Sequence, residues 1–190
     1  MTPIRALQAS AVLPQGLART LHPLAPVWSN RNQIPAFSLR PLWRDWLFDQ
    51  GSLTARISAL RPGTFHVEVL GQYAAHPTAT ERRTLNLGQQ QAVWVREVIL
   101  RLADEPIVYA RTAVPMSTLR GSGAQLRHLG NRSLGSFLFR QPGLKRTPLQ
   151  VSHCAANQLG LQWARRSVFT LRGGRLLVTE AFSSRLDAYV

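Results

Sequence analysis

Two pairs of alternating segments, each joined by a very short connection, constrain the fold of this chain most strongly. Residues 93–102 and 107–114 are separated by the polar stretch 104–106, and residues 165–171 and 175–182 by a Gly-Gly pair. Side chains alternate between two faces along a strand, and short connections of this composition join antiparallel neighbours. The sequence therefore predicts two antiparallel hairpins.

The remaining elements complete an α+β pattern. Alternating residues within 64–72 and 149–155 predict further strands, and Trp43 and Trp46 have the spacing of a buried helix face within 39–50. Ser52 can cap a second helix, which runs through 56–60. Short helical pieces are expected around 124–129 and 133–139. We expect one α+β domain, a mostly antiparallel sheet of about six strands with helices packed on one side.

The N-terminal part of the chain has a different character. Residues 1–35 contain five prolines and follow neither the helix nor the strand period. We expect an irregular N-terminal extension over 1–35, followed by a single folded domain over 36–190.

The positive charge of the chain allows more than one interpretation. The 190 residues carry a formal net charge of +14, almost entirely from arginine, with Lys145 as the one lysine. The arginines occur singly or in pairs, without the dense basic block or interleaved aromatic residues of a nucleic-acid surface. Scattered surface arginines explain this pattern better than nucleic-acid binding, which remains a weaker alternative.

Several other classes of protein are disfavoured. A single cysteine, Cys154, allows neither an intrachain disulfide nor a zinc site with two cysteines, and it suits a reducing compartment such as the cytoplasm. No pair of histidines has metal-ligand spacing, so we expect no metal site. No apolar run approaches the ~20 residues that span a bilayer, and we identify no secretory signal.

One carboxylate interrupts an apolar strand face near the C-terminus. Leu176, Val178, Glu180 and Phe182 share a face of the last predicted strand. No other acidic residue lies between positions 105 and 187. A buried charge is costly unless it is paired, so this isolated carboxylate indicates either a salt bridge or a ligand.

An arginine interrupts another strand in the same way. Trp94, Arg96, Val98 and Leu100 share one face, while the other face carries Glu97 among apolar residues, so the pattern does not identify the core side. In one interpretation, Arg96 and Glu180 pair with each other, or with Glu97 and a neighbouring arginine, in a core salt bridge. In the other, they line a closed cavity. Arg96 would then bind a carboxylate with its planar fork, and Glu180 would meet a hydroxyl or ether oxygen or transfer a proton.

Six segments in this order resemble the chorismate pyruvate-lyase family. The resemblance covers roughly residues 35–185, and it rests on the combined order and spacing of the segments. They are Gly-Ser-Leu-Thr-Ala-Arg (51–56), Trp-Val-Arg-Glu-Val-Ile-Leu (94–100), Glu-Pro-Ile-Val-Tyr-Ala-Arg-Thr-Ala-Val-Pro (105–115), Leu-Gly-Asn-Arg-Ser-Leu-Gly-Ser-Phe-Leu-Phe (129–139), Trp-Ala-Arg-Arg-Ser (163–167) and Leu-Leu-Val-Thr-Glu-Ala-Phe (176–182).

The resemblance implies a function and a set of site residues. The family converts chorismate to 4-hydroxybenzoate and pyruvate, the first committed step toward ubiquinone, as a cytoplasmic monomer without metal or organic cofactor. Its site is an internal cavity under helical flaps. The matching positions are Arg96 for the ring carboxylate, Glu180 for the oxygen across the ring, and Leu53 and Leu134 for apolar contacts. Leu53 departs from the methionine that is familiar at that position.

A non-catalytic alternative has the same fold. Ligand-binding domains of some bacterial transcription regulators resemble this lyase and bind small acids, and a shared fold does not fix function. Such regulators usually carry an N-terminal winged helix, and the first 38 residues here are too short and proline-rich for one. The sequence therefore favours the lyase.

Overall fold

The computed structural model describes residues 27–154 and 160–189. The strands are β1 (Ser29–Asn30), β2 (Phe65–Ala75), β3 (Val93–Leu102), β4 (Glu105–Pro115), β5 (Lys145–Arg146), β6 (Gln150–His153), β7 (Leu161–Leu171) and β8 (Gly174–Ser183). The α-helices are α1 (Pro41–Phe48), α2 (Leu53–Leu60), α3 (Ala79–Leu85), α4 (Met116–Arg120) and α5 (Leu134–Leu138). Short 3-10 helices cover Arg31–Gln33, Ala36–Ser38, Ala124–His128 and Ser184–Tyr189.

All eight of these strands form one antiparallel sheet. Their order is β1-β6-β7-β8-β4-β3-β2, with β5 paired to β7 beside this path. The long hairpins β3–β4 and β7–β8 lie side by side through the pairing of β4 with β8. The predicted α+β class and antiparallel sheet are confirmed, and the two strands beyond the expected six are β1 and β5, each only two residues long.

The turn residues explain why both hairpins close so tightly. Ala103 and Asp104 have φ angles of 48° and 66°, and Arg172 and Gly173 have φ angles of 46° and 84°. Two successive residues with positive φ match the right-handed twist of the flanking strands, which is why such turns join hairpins. Both connections lie within one or two residues of their predicted positions.

The sheet is buried on both faces. Every residue of β3 except Arg101 is buried, so neither face of that strand is a solvent face. We call the face that carries Trp94, Arg96 and Val98 the cavity face, and the face that carries Val95 and Glu97 the opposite face. Because both faces are covered, the sequence pattern of β3 could not identify a single core side.

Four helices cover the cavity face. The apolar residues of α1 and α2 pack with Val98 and Phe182, and those of α4 and α5 pack with Trp94 and Val178. Two of these helices begin at residues that favour a helix start. Pro41 is the first residue of α1, and the Ser52 side chain accepts a hydrogen bond from the Ala55 backbone N–H at the start of α2, as predicted.

Helix α3, which we did not predict, packs on the opposite face. Its Leu85 joins a cluster of apolar residues from β3, β4, β7 and β8. Thr78 and Glu81 form a capping box at its first turn, in which each side chain accepts a bond from the other's backbone N–H. The Thr-x-x-Glu spacing is a sequence pattern from which the start of this helix could have been predicted.

A buried ion-pair network holds α3 on the sheet. The Nε atom of Arg111 lies 2.7 Å from Oε1 of Glu81, and its Nη1 lies 3.2 Å from Oε1 of Glu97. The Tyr73 hydroxyl donates a 2.7 Å hydrogen bond to Oε2 of Glu97. Glu97 therefore pairs with Arg111 on the opposite face, and the interpretation in which it pairs with Arg96 is wrong.

The N-terminal extension is described only in part. Residues 1–26 lie outside the described residues. Ser29 and Asn30 pair with Val151 and Gln150 at the sheet edge, and the guanidinium of Arg166 lies 4.3 Å from the ring centroid of Trp28. The domain boundary at residue 35 stays a prediction. Residues 28–30 precede that boundary in the sequence and contact the sheet.

Candidate active site

A cavity lies between the cavity face of the sheet and two helices that cover it. The sheet supplies residues from β2, β3, β4, β5, β7 and β8, and the cover consists of the start of α2 and the segment from Ser133 through α5. All four residues predicted for the site line this cavity: Leu53, Arg96, Leu134 and Glu180. The structure thus brings together side chains that are up to 127 positions apart in sequence, from 53 to 180.

Arg96 is a buried cation that does not use all of its hydrogen-bond donors. Only 2% of its surface is exposed. Its Nη2 donates to the backbone carbonyls of Gly130 at 2.8 Å and Arg132 at 3.1 Å, while its buried Nε has no hydrogen-bond partner. Among the described residues no carboxylate forms an ion pair with it. Burial lowers the pKa of the Arg96 guanidinium below its usual value, because charge is costly away from water.

These properties of Arg96 point to an anionic ligand. An unpaired donor and an uncompensated buried charge both cost free energy. A ligand carboxylate on the open side of the guanidinium would satisfy both at once, in the two-pronged geometry that arginine offers.

Glu180 lies on β8 and is held by one ion pair. Arg165 is its direct neighbour on β7, and Arg165 Nε lies 2.6 Å from Glu180 Oε2. Arg165 is 1% exposed, and its Nη1 also donates to the carbonyls of Trp46 and Asp49 at the end of α1. The other carboxylate oxygen of Glu180, Oε1, accepts no hydrogen bond from any described residue. One oxygen is thus held by Arg165, and the other has no hydrogen-bond donor among the described residues.

The register of the sheet separates Arg96 from Glu180. Arg96 pairs with Thr112, and Thr112 with Val178, which is two residues from Glu180 along β8. Two strand spacings and two residues along a strand place the Cα atoms roughly 12 Å apart. The interpretation in which Arg96 and Glu180 pair with each other is wrong, because Glu180 pairs with Arg165. A small ring can lie between them.

Close packing joins the two parts of the cover. The hydroxyls of Thr54 and Ser133 are hydrogen-bonded to each other. A Cβ atom at Gly135 would lie 3.3 Å from the Thr54 hydroxyl oxygen, so a larger residue there would push the two segments apart. Leu53 is buried beside this junction, and Leu134 begins α5 after the Ser133 cap. The cover closes over the apolar side of the cavity.

Sequence reasoning missed two cations of this cavity, Arg146 and Arg165. Arg165 stood in the Trp-Ala-Arg-Arg-Ser segment, where alternation places it on the same face as Trp163 and Ser167, and its pairing with Glu180 could be inferred only from the register. Arg146 lies on the two-residue strand β5, too short for a period to be recognised. Its Nε donates to the Ser167 hydroxyl at 2.9 Å and its Nη1 to the Gln50 carbonyl at 3.1 Å.

Other candidate groups lie outside the cavity. Cys154 is buried among apolar residues, and burial raises the pKa of its thiol to about 12. The neighbouring His153 is exposed, and its ring meets Trp163 edge to face with centroids 4.9 Å apart. Within residues 27–154 and 160–189, no three His, Cys, Asp or Glu side chains form a group that could hold a metal ion. In the same ranges, no helix has the length and apolar character to cross a membrane.

Comparison with known proteins places the chain in a family. The chorismate lyase family matches residues 23–188. A probable chorismate pyruvate-lyase of Marinobacter nauticus is 42% identical over 144 residues, 75% of this chain and 77% of that protein. Proteins of the same description from Chromohalobacter salexigens and Pseudomonas aeruginosa PAO1 are 39% and 38% identical; they align with 86% of this chain and with 93% and 94% of their own lengths.

A solved structure of low sequence identity shares the fold. A gene product of Staphylococcus aureus has a TM-score of 0.51 at 12% identity, over 73% of this chain and 92% of that one. This likeness shows the fold alone. Family membership is shown by the match over residues 23–188 and by the 39% identity to a relative aligned over 93% of its length. The chain belongs to the chorismate lyase family.

Proposed function

We propose that this protein is a chorismate pyruvate-lyase, which releases 4-hydroxybenzoate and pyruvate from chorismate and thereby supplies ubiquinone biosynthesis. The observation that carries the proposal is the buried guanidinium of Arg96, which lines the cavity and has an unsatisfied donor. Family membership supports the substrate, because relatives of high identity are described as probable chorismate pyruvate-lyases.

The substrate fits the order of groups in the cavity. Chorismate has a ring carboxylate, a hydroxyl on the ring carbon opposite it, and an enolpyruvyl ether on the carbon beside that hydroxyl. With its carboxylate on Arg96, the ring spans the apolar floor of Val98, Ala110 and Val178. The hydroxyl and the carbon that bears it then lie toward Glu180. Leu53 and Leu134 close over the ring from the cover.

The reaction is a redox-neutral elimination. The hydrogen leaves the hydroxyl-bearing carbon as a proton, and the C–H electron pair enters the ring. The neighbouring C–O bond breaks, and enolpyruvate leaves with the electron pair of that C–O bond. Enolpyruvate takes up a proton at its methylene carbon and becomes pyruvate, so the numbers of protons and electrons balance. We propose that the reaction requires no metal or organic cofactor.

Glu180 is the proton acceptor that we propose. It is the one carboxylate among the described residues that line the cavity. Its Oε2 lies 2.6 Å from the Nε of Arg165, which holds the side chain in place, and a carboxylate within reach of the reacting carbon can act as a general base. Exclusion of water by the cover strengthens the interactions of Arg96 and Glu180 with the ring, because electrostatic interactions are larger in a dry site.

Two further features belong to this proposal. We propose that the protein acts as a monomer, which is the state that membership of the chorismate lyase family implies. We also propose a cytoplasmic location, because chorismate is a soluble metabolite and the described Cys154 is a free thiol.

The experiment that tests the function uses purified protein and chorismate. Pyruvate is measured by coupled reduction to lactate and 4-hydroxybenzoate by chromatography, with and without a chelator. We expect the two products in equal amounts, at a rate that the chelator does not change. Loss of turnover with chelator that a divalent ion restores would contradict the cofactor proposal. Binding of 4-hydroxybenzoate without any pyruvate would instead indicate a binding domain.

A further inference from the structure

We propose that Arg146 binds the second carboxylate of the substrate, that of the enolpyruvyl group, and so distinguishes the dianionic substrate from the monoanionic product. This inference deepens the proposed function and rests on it. Family resemblance gave four contact residues, and none of them is a cation for this group. The described side chains of the cavity include one that fits.

The position of Arg146 is fixed from three directions. It lies on β5, opposite Phe169 of β7, and its guanidinium carbon is 4.9 Å from the centroid of that ring. Its Nε is bonded to Ser167 and its Nη1 to the Gln50 carbonyl between α1 and α2. Among the described residues, its Nη2 has no hydrogen-bond partner. The guanidinium is therefore oriented in advance, with one nitrogen left for a ligand.

The charge of Arg146 is not compensated by an ion pair in the described part of the chain. Burial lowers the pKa of its guanidinium to about 10, and the nearby charge of Arg165 acts in the same direction, while Glu180 and Asp49 oppose it. The group is still a cation at neutral pH. Holding it away from water costs free energy, which a bound anion would offset.

The total charge of the cavity matches a dianion. Its charged lining residues are three arginines and one glutamate, which leaves a formal excess of two positive charges. Arg165 is neutralised by Glu180 at 2.6 Å, so the two excess charges belong to Arg96 and Arg146. Arg96 lies on β3 and Arg146 beyond β7, on either side of the strand that carries Glu180.

This arrangement assigns one cation to each carboxylate of chorismate. The ring carboxylate lies on Arg96, the hydroxyl-bearing carbon near Glu180, and the ether side chain extends toward Arg146. When the C–O bond breaks, the second carboxylate leaves with pyruvate, and 4-hydroxybenzoate keeps its contacts with Arg96 and Glu180 only. Arg146 should therefore affect the substrate and not the aromatic product.

Two unreactive ligands that differ in the second carboxylate can distinguish the contact with Arg146 from the contact with Arg96. The dicarboxylate is 3-(carboxymethoxy)-4-hydroxybenzoate, and its matched monocarboxylate is 4-hydroxy-3-methoxybenzoate, which has the same ring and ether but no second acid. Dissociation constants are measured by calorimetry for the wild type, Arg146→Met and Arg146→Lys. The control is Arg166→Met, since Arg166 is a similarly buried arginine stacked on Trp28 but lies on the opposite face.

We expect Arg146→Met to weaken binding of the dicarboxylate by roughly 10–100-fold, because the variant loses a hydrogen bond between charged groups. Binding of the monocarboxylate should change by less than about threefold, and Arg146→Lys should recover part of the loss because it keeps the charge. Arg166→Met should change neither constant. Equal losses for both ligands, or no loss for the dicarboxylate, would overturn the inference.

Two further measurements keep this test decisive. Circular dichroism melts show whether each variant is folded, and if Arg146→Met is unfolded the comparison is made with Arg146→Lys, whose loss should still be confined to the dicarboxylate. Turnover of chorismate by the wild type is measured separately. Ligand discrimination without turnover would contradict the proposed function and leave the second anion site standing, whereas turnover without discrimination would contradict only the role of Arg146.

Discussion

Glu180 and Arg165 occupy directly paired positions on β8 and β7, and the carboxylate of Glu180 accepts a 2.6 Å bond from the Nε of Arg165. The same arginine donates to the Trp46 and Asp49 carbonyls. One side chain therefore fixes both the carboxylate and the end of α1, where the chain turns into the cavity cover.

Replacing Arg165 should cost much of the protein's stability. Arg165→Met leaves a part-buried carboxylate and two carbonyls without their donor, and removal of one partner from a buried pair costs about 3–5 kcal/mol. Urea denaturation should show a fall in the free energy of unfolding of that size. The adjacent Arg166→Met, which breaks a contact with Gln150 and no ion pair, should cost less than half as much. Equal losses in the two variants would contradict the framework role of Arg165.

The buried thiol of Cys154 predicts a pH dependence of stability. Burial raises its pKa from 9.0 to about 12. Because the folded pKa is above the unfolded one, the stabilisation is complete below about pH 9 and is lost as the pH rises toward 12. The difference in unfolding free energy between wild type and Cys154→Ala should be smaller at pH 10 than at pH 8, by roughly 1 kcal/mol. A difference that does not change with pH would show that the thiol is not desolvated.

Arg96→Lys should weaken substrate and product together. Lysine keeps the charge but cannot offer two parallel donors to a carboxylate. A hydrogen bond to a charged group is worth about 1.5–3 kcal/mol, so the KM for chorismate and the Kd for 4-hydroxybenzoate should both rise by roughly 10–100-fold.

The control for Arg96 lies on the same strand. Arg101→Lys alters an arginine that pairs with Glu68 at 2.6 Å on the opposite face, and it should leave both constants unchanged. If Arg96→Lys leaves the Kd for 4-hydroxybenzoate unaltered, the ring carboxylate does not lie on Arg96.

The strands could be predicted well because their signals are local. The bounds of β3, residues 93–102, were predicted as the structure has them, because a run rich in β-branched and apolar residues ends at a turn. The turns at Asp104 and Gly173 are encoded by short polar and glycine-containing sequences. The helix α3 was missed although Thr78 and Glu81 form a capping box, because its only apolar residues, Ala79 and Leu85, are six positions apart and do not follow the helix period.

The site could be predicted only in part because its contacts are distant in sequence. Arg96 and Glu180 were recognisable as charges on apolar faces. The partner of Glu180 was not, since a strand pattern does not state which arginine of another strand lies opposite. The same limit applies to Arg146, which reaches the cavity from an element of two residues.

The most direct test of the central claim compares turnover and product binding in Glu180→Gln. Glutamine keeps the shape of the side chain and can still bond Arg165 through its carbonyl oxygen, but it cannot accept a proton. Steady-state release of pyruvate and calorimetric binding of 4-hydroxybenzoate are measured on the same protein, with a thermal melt to show that it is folded. We predict that kcat falls by roughly 10²–10⁴, the usual contribution of a general base, while the Kd for 4-hydroxybenzoate changes by only a few-fold. Folded Glu180→Gln protein that releases pyruvate at the wild-type rate would contradict the account.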